Sequence, residues 1–241
     1  IDNAHDNIFR GNTTAIDIAF KDNTLTITNN GKTIPVIKHD VHEKFIPEML
    51  ASEFRAGDNM EADDRKGRVT AGTHGLGMTL VNTFSKAFKL TCDDAERKLQ
   101  FTQSWSDNMQ VTSGPKVKKM SRKNSKTIVE AVLDWQRLGY PESGPDSDFE
   151  LVLKRQAFDL AACTPKTVKV TYNGQAVPVK SFAAYCNMFG ANEYVKISDT
   201  CEVAVFASQM QQLPPSFVNG LNTNEGKHKD ALQREIVSAL V

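Results

Sequence analysis

Apolar and polar residues alternate along Ala15-Ile16-Asp17-Ile18-Ala19-Phe20 and again along Thr24-Leu25-Thr26-Ile27-Thr28, with Lys21-Asp22-Asn23 between them. This period of two, broken by a polar turn, predicts a β-hairpin. Ahead of it, Asn3, Asp6 and Asn7 share one face at i, i+3 and i+4, which predicts the end of a helix. Residues 41 to 55 suit a second helix, whereas 56 to 75 carry glycines and both charge signs with little apolar periodicity and read as a long surface loop. Loops of that length in a compact domain are often functional. From Leu76 the positions Leu80, Val81, Phe84 and Phe88 return to helical spacing, so the glycine loop is expected to open a helix. Strands are predicted at 87 to 92, 98 to 105, 126 to 133 and 166 to 172, and a helix at 150 to 162. Asn173-Gly174 supplies a left-handed turn before Ala176-Val177-Pro178-Val179. Adjacent hairpins separated by helices predict an α+β fold, a sandwich of helices on one mixed, mostly antiparallel sheet.

Composition narrows the function classes. With 241 residues, 40% of them hydrophobic, the chain can bury one large core or two small ones. Lys plus Arg and Asp plus Glu both total 29, so the overall charge gives no general attraction to phosphate backbones, and any DNA contact must be local or lie elsewhere. The segment Lys116-Val117-Lys118-Lys119-Met120-Ser121-Arg122-Lys123 is basic enough to touch DNA, but it lacks interleaved aromatics and precedes a strand, so a solvated loop is the better reading. Pro141-Glu142-Ser143-Gly144-Pro145-Asp146 reads as a surface connection. Cys92, Cys163, Cys186 and Cys201 lack the close pairing of zinc sites, which makes a reducing interior the expected compartment. No apolar run approaches the roughly 20 residues that span a bilayer, and the polar start is not a signal peptide, so no membrane partner is expected.

Three segments carry candidate chemistry. Glycines 72, 75 and 77 in Ala71-Gly72-Thr73-His74-Gly75-Leu76-Gly77 let the backbone approach a bound group, and a following helix would offer its unpaired N–H groups to an anion. Such a turn is a phosphate cradle or merely a turn; it is neither a Walker loop nor a strand-led dinucleotide fingerprint. In Asn29-Asn30-Gly31-Lys32-Thr33-Ile34-Pro35 an Asn ends a strand where it can pair with a base edge, or simply supply an ordinary hairpin turn. Asn3 to Asn7 offers amide oxygens on one helical face, suited to a magnesium ion already satisfied largely by water and phosphate, or to solvent alone.

In this order the three segments resemble the N-box and the first and second glycine boxes of the GHKL ATPase superfamily. The resemblance narrows to type II DNA topoisomerases, of the eukaryotic or viral branch, through Asn29-Asn30-Gly31-Lys32 with Ile34-Pro35-Val36, and Asn82-Thr83-Phe84-Ser85. It continues through Gln103-Ser104-Trp105 with Asn108-Met109, Ala157-Phe158-Asp159-Leu160-Ala161, and Tyr172-Asn173-Gly174 with Val177-Pro178-Val179. Phe217-Val218-Asn219 and Gly226-Lys227-His228 resemble the adjoining transducer domain. The resemblance implies a GHKL (Bergerat) ATP-binding domain over residues 1–186 and the beginning of a transducer over 187–241. It further implies ATP and Mg²⁺ as ligands, a homodimer in the intact ATP-bound enzyme, double-stranded DNA as its partner, and a nuclear setting, or a cytoplasmic or viral one for a viral source. By motif position Asn3 would bind Mg²⁺ and Asn7 would lie near the sugar or phosphates. Asn29, where many relatives have aspartate, would address the adenine with help from Thr127, and Asp58 or Asn59 would line a lid near the ribose. Gly72, Thr73, His74, Gly75, Leu76, Gly77 and Met78 would wrap the phosphates.

The departures from the pattern are equally specific. Thr33 replaces the second glycine of the first box, Ala71 replaces a glycine before the phosphate loop, and Thr79 stands where eukaryotic relatives commonly carry lysine. His74 is shared with the bacterial pattern and either bonds a phosphate or faces solvent. The family's water-activating glutamate lies four residues ahead of the N-box asparagine, which would place it just before Ile1, and the sensor glutamine and lysine would fall beyond Val241. No catalytic residue is therefore expected within the chain, which reads as truncated at both ends and as binding ATP better than it splits it. Other readings are another GHKL ATPase of chaperone, mismatch-repair or kinase type, a nucleotide-dependent clamp without hydrolysis, and an α+β domain that binds no nucleotide.

Overall fold

The computed structural model describes residues 1–54, 56, 72, 75–191, 193–206, 215–223 and 225–240. In chain order the elements are α1 (Asp2–Arg10), β1 (Ala15–Lys21), β2 (Thr24–Asn30), α2 (Ile46–Ser52), α3 (Gly77–Thr83), β3 (Ser85–Asp94), β4 (Leu99–Ser106), β5 (Val111–Thr112), β6 (Lys116–Lys119), β7 (Lys126–Leu133), α4 (Ser147–Ala162), β8 (Lys169–Tyr172), β9 (Gln175–Ala176), α5 (Phe182–Asn187), β10 (Glu193–Ser198), β11 (Cys201–Val205), β12 (Phe217–Val218), β13 (Leu221–Asn222) and α6 (Lys227–Leu240). Strands β1 to β9 form one nine-stranded sheet in the order β5-β4-β3-β7-β2-β1-β8-β9, with β6 also on β4. All of its pairs are antiparallel except β1 with β8. This is the mixed, mostly antiparallel sheet that the alternation predicts.

The period of two sorts one face of the sheet into the core. Ile16, Ile18 and Phe20 of β1, Phe88, Leu90 and Cys92 of β3, Phe101 and Trp105 of β4, and Ala131 of β7 are all buried. One cluster joins Ile16 and Ile18 to Ala4 of α1 and to Ala157, Leu160 and Ala161 of α4; a second joins Phe88, Leu90 and Trp105 to Ala51 of α2. Each buried aliphatic or aromatic side chain of this kind contributes roughly 1.5–3 kcal/mol relative to exposure, so the helices are held by burial rather than by intrinsic propensity. The opposite face is polar, with Lys89 Nζ bonded to Glu130 Oε2 at 2.7 Å.

Local chemistry sets the boundaries. Asp22 and Asn23 both have positive φ, as a tight hairpin turn requires, and the same holds for Asn173 and Gly174. Asp146 caps α4 by accepting from the Asp148 N–H, and Ser181 caps α5 through the Ala184 N–H. Tyr185 on α5 donates to Asp159 on α4, which also accepts from Arg155 Nε at 3.0 Å and from Asn222 Nδ2 at 3.5 Å. That carboxylate ties α4, α5 and the β12–β13 hairpin together.

Three expectations change. The helix expected over 41 to 55 is confined to Ile46–Ser52, because Phe45 has extended backbone, Pro47 stands in the first turn, and His39 and Lys44 close a loop through His39 N–H to Lys44 O at 2.8 Å. The helix opened by the glycine turn stops at Thr83, and Phe88 lies on β3, where strand pairing overrides its helical spacing. The basic segment is not a loop in its first half: Lys116–Lys119 pairs antiparallel with residues 99–102 of β4 as an exposed edge strand, held by the backbone ladder rather than by burial. Among the described residues no helix is long and apolar enough to cross a membrane.

Candidate functional site

The covered face of the sheet ends in a polar layer. The register sets Asn29 of β2 directly opposite Thr127 of β7, and Thr127 opposite Cys92 of β3. Asn29 and Thr127 are both buried. The Asn29 amide donates to Asn30 O at 3.2 Å, which leaves its Oδ1 without a partner among the described residues. Thr33 Oγ1 lies 2.8 Å from Thr127 Oγ1 and donates to Lys126 O at 3.2 Å. Thr33 does not need positive φ, so the missing glycine costs no backbone strain here. Burial pushes the Cys92 thiol up to about 12, the neighbouring Thr33 hydroxyl notwithstanding, so this layer is neutral.

Asn30 and Gly31 build the turn beneath that layer. Asn30 Oδ1 accepts from the N–H groups of Thr14 at 2.9 Å and Ala15 at 2.8 Å, stapling β2 to the chain entering β1. Gly31 has φ +92°, and a β-carbon there would lie 2.8 Å from both Gly11 O and Thr13 N. Only glycine permits that approach. Asp94 Oδ2 accepts from the Val36 N–H at 2.9 Å and anchors the Ile34-Pro35-Val36 segment that follows.

On α1, Asn3 is exposed, Asp6 is buried and Asn7 is half-buried. Asn7 Nδ2 donates to Thr13 Oγ1 at 3.0 Å and to Asn30 O at 3.3 Å, so this residue bridges the helix to the β2 turn. Asp6 Oδ2 accepts from the Gly72 N–H at 2.8 Å. A β-carbon on Gly72 would meet Asp6 Oδ2 at 3.1 Å and Asn3 Oδ1 at 3.9 Å. The glycine turn and the helix face are thus brought together, far apart in sequence though they are. Spacing placed Asp6 on that face without a role; its bond to Gly72 becomes visible only when the turn folds over α1. Among the described residues no group of three His, Cys, Asp or Glu gathers as a metal cluster. The oxygen donors here, the Asn3 carboxamide and the Asp6 carboxylate, are hard ligands that suit a hydrated magnesium ion rather than a soft transition metal.

After the turn, Gly75 has φ +59°, Leu76 precedes α3, Gly77 is exposed in its first turn, and Met78 packs on the core. Helix α3 has seven residues, so its individual N–H groups matter more than any macrodipole. Thr79 is fully buried, and its Oγ1 donates to Glu53 O at 3.0 Å. It fastens α3 to the end of α2 and faces away from solvent, so a lysine's charge has no counterpart at this position. Asp58, Asn59, Ala71, Thr73 and His74 lie outside the described residues.

No protein-family model matches the chain. A protein described as probable DNA topoisomerase 2 of Dictyostelium discoideum is 31% identical over 225 residues, covering 90% of this chain. The chain spans 14% of that relative's length. The solved ATPase region of Saccharomyces cerevisiae topoisomerase II superposes with a TM-score of 0.93 at 28% identity, covering 99% of this chain and 64% of the other. The ATPase and transducer domains of DNA topoisomerase II from Balamuthia mandrillaris give a TM-score of 0.87 at 32% identity, covering 98% of this chain and 63% of theirs. With its helices on one face of a mixed sheet and its polar layer at the end of β2, the fold is that of a GHKL-type ATPase domain. The chain belongs to the type II DNA topoisomerases and corresponds to their ATPase region.

Proposed function

We propose that the chain binds ATP with Mg²⁺ in the space bounded by α1, the end of β2 and the glycine turn, as the nucleotide-operated part of a type II topoisomerase. The observation that carries this reading is the convergence of Asn3, Asp6 and Gly72, which gathers a carboxamide oxygen, a carboxylate and a close-approaching backbone at one point. Asn29 and Thr127 face the adenine: the unpartnered Asn29 Oδ1 accepts from an exocyclic amine, and Thr127 supplies a hydroxyl beside it. Asn7 lies near the sugar or the phosphates, and Asn59, outside the described residues, is assigned to the lid near the ribose by likeness to the family. Gly72, Thr73, His74, Gly75, Leu76, Gly77 and Met78 are assigned to the phosphates; the Gly72 N–H is taken by Asp6, so the unpaired N–H groups at the start of α3 are the fixed donors. Asn3 is a ligand of Mg²⁺, which supplies neutralisation of phosphate charge when bound.

Residues 1–186 form the nucleotide-binding unit, and 187–241 begin the transducer. In the intact protein, ATP-driven homodimerisation and hydrolysis are coupled to the passage of one DNA duplex through another, in a nuclear setting; the base that orients water precedes Asn3. Calorimetry with a non-hydrolysable ATP analogue tests the pocket: binding that requires Mg²⁺ is expected, and absence of heat with and without the metal refutes the reading.

A further inference from the structure

The basic segment that the nucleotide pocket does not use lies on the opposite side of the sheet. From Lys116 to Lys126 the chain carries six cations, Lys116, Lys118, Lys119, Arg122, Lys123 and Lys126, and no carboxylate, although the whole chain is electrically balanced. Arg122 is paired with buried Asp93, at 2.6 Å; the five lysines form no ion pair among the described residues. Asp93 is further bonded by Gln100 Nε2, so its charge is already compensated.

The strand registers turn this run into a surface. Asn30 is opposite Lys126, Lys126 opposite Asp93, Asp93 opposite Gln100, and Gln100 opposite Lys118. These five residues therefore form one row across β2, β7, β3, β4 and β6 on the face away from the hydrophobic clusters. The neighbouring row is Thr28, Ile128, buried Thr91, Thr102 and Lys116, so the partly exposed hydroxyls of Thr28 and Thr102 share the face with the lysines. Asn30, Asp93, Arg122, Lys123, Ser125 and Lys126 line a cleft of about 490 Å³. Edge lysines alone serve to block strand-to-strand pairing. That explanation covers β6 but not Arg122, Lys123 and Lys126, which line the cleft beyond the strand.

We infer that this polar face, from the β6 edge to the Arg122–Lys126 cleft, is a docking surface for the phosphate backbone of double-stranded DNA. Lysines and hydroxyls spread over two rows are the groups that contact phosphates without reading sequence. The 116–126 segment has no aromatic residue, so it lacks the stacking platform with which single strands are held, and the duplex is the better fit. The choice of duplex among polyanions rests on the proposed function; the surface itself stands apart from the nucleotide pocket.

Fluorescence anisotropy of the full chain with a short labelled duplex, over a salt series, tests this. Duplex binding stronger than that of a single strand of equal length is expected, with a log–log salt slope of about −4. A triple variant, Lys116→Glu, Lys118→Glu and Lys123→Glu, is expected to weaken binding roughly tenfold or more and to flatten the slope by about 3. All three side chains are exposed, and circular dichroism checks that the fold is kept. The control, Lys166→Glu, Lys169→Glu and Lys180→Glu, changes net charge equally at exposed positions elsewhere and is expected to bind like the parent. Equal loss in both variants, preference for the single strand, or no duplex binding at low salt overturns the inference. ATP-analogue binding measured on the same protein separates the two readings: binding of analogue without duplex sinks only this surface, and duplex without analogue sinks only the pocket.

Discussion

Gly220, in the turn between β12 and β13, packs its backbone against the imidazole of His5 on α1. A β-carbon on Gly220 would lie 2.6 Å from Nε2 and 2.7 Å from Nδ1, and its φ is +79°. His5 is itself buried, with Nε2 3.4 Å from Cys163 O at the end of α4. A hairpin near the end of the chain thus rests on the helix that carries Asn3 and Asn7.

Gly220→Ala is expected to destabilise the fold by roughly 1–3 kcal/mol, since both the backbone angle and the ring oppose the new methyl group. His5→Ala has its own cost, but in the double variant the steric part is relieved, so the two effects should sum to more than the double loses, by about 0.5–3 kcal/mol. Urea denaturation of the four proteins measures the coupling. Strict additivity would mean that the hairpin does not rest on His5.

Asn29→Leu is expected to weaken binding of an ATP analogue by about tenfold to a hundredfold, because an adenine amine would lose its acceptor in a buried layer. Asn29→Asp keeps an acceptor at the same place and should stay within roughly tenfold of the parent. Calorimetry on both, with thermal unfolding as a check on folding, distinguishes them; equal loss in both would remove Asn29 from the base-recognising role.

How much of this was legible in the sequence depends on the range of the interaction that decided it. The β1–β2 hairpin and the Asn173-Gly174 turn follow from local alternation and turn residues and stand where those signals put them, whereas α4 starts at Ser147, three residues before the expected 150, because Asp146 caps it. Phe88 fits both the helical spacing from Leu80 and the strand predicted at 87 to 92, because a helical repeat and a buried strand share apolar positions, and pairing with β4 and β7 decides for the strand. Strand β6 has no local signal because all four of its residues are exposed and only the ladder to residues 99–102 of β4 makes it a strand. In the site, Asn29 and Thr127 were read through family likeness, and their being exact cross-strand partners is a consequence of sheet register. Thr33 and Thr79 looked like losses against the family pattern. The structure gives each a bond, to Thr127 and to Glu53 O, that no local signal encodes.

The thiols set an alkaline limit on stability. Burial raises Cys92 and Cys163 to about 12 and Cys186 to about 11, whereas an unfolded thiol ionises near 8.5. Above that pH the unfolded chain has lost protons that the folded chain keeps, so stability is fully present below it and falls as pH rises toward 11 or 12. Each such thiol contributes at most about a tenfold change in the folding constant per pH unit. Denaturation midpoints at a series of alkaline pH values should fall less steeply in Cys92→Ala than in the parent. At neutral pH, alkylation should reach exposed Cys201 first, while Cys92 reacts only after unfolding.

Asp159 is expected to be the most sensitive polar position outside the pocket. It receives the Tyr185 hydroxyl, Arg155 and, more distantly, Asn222, and its acceptance of the phenol together with burial raises the Tyr185 pKa. Asp159→Ala leaves the Tyr185 hydroxyl without its acceptor and should cost about 2–4 kcal/mol. Tyr185→Phe removes one donor from a carboxylate that keeps Arg155, so about 1–2 kcal/mol is expected. Because Asn222 belongs to the β12–β13 hairpin, Asp159→Ala should also raise amide exchange at 217–222, whereas Tyr185→Phe should leave those amides close to the parent. If both variants loosen the hairpin equally, the tie runs through the packing of α5 and not through the carboxylate.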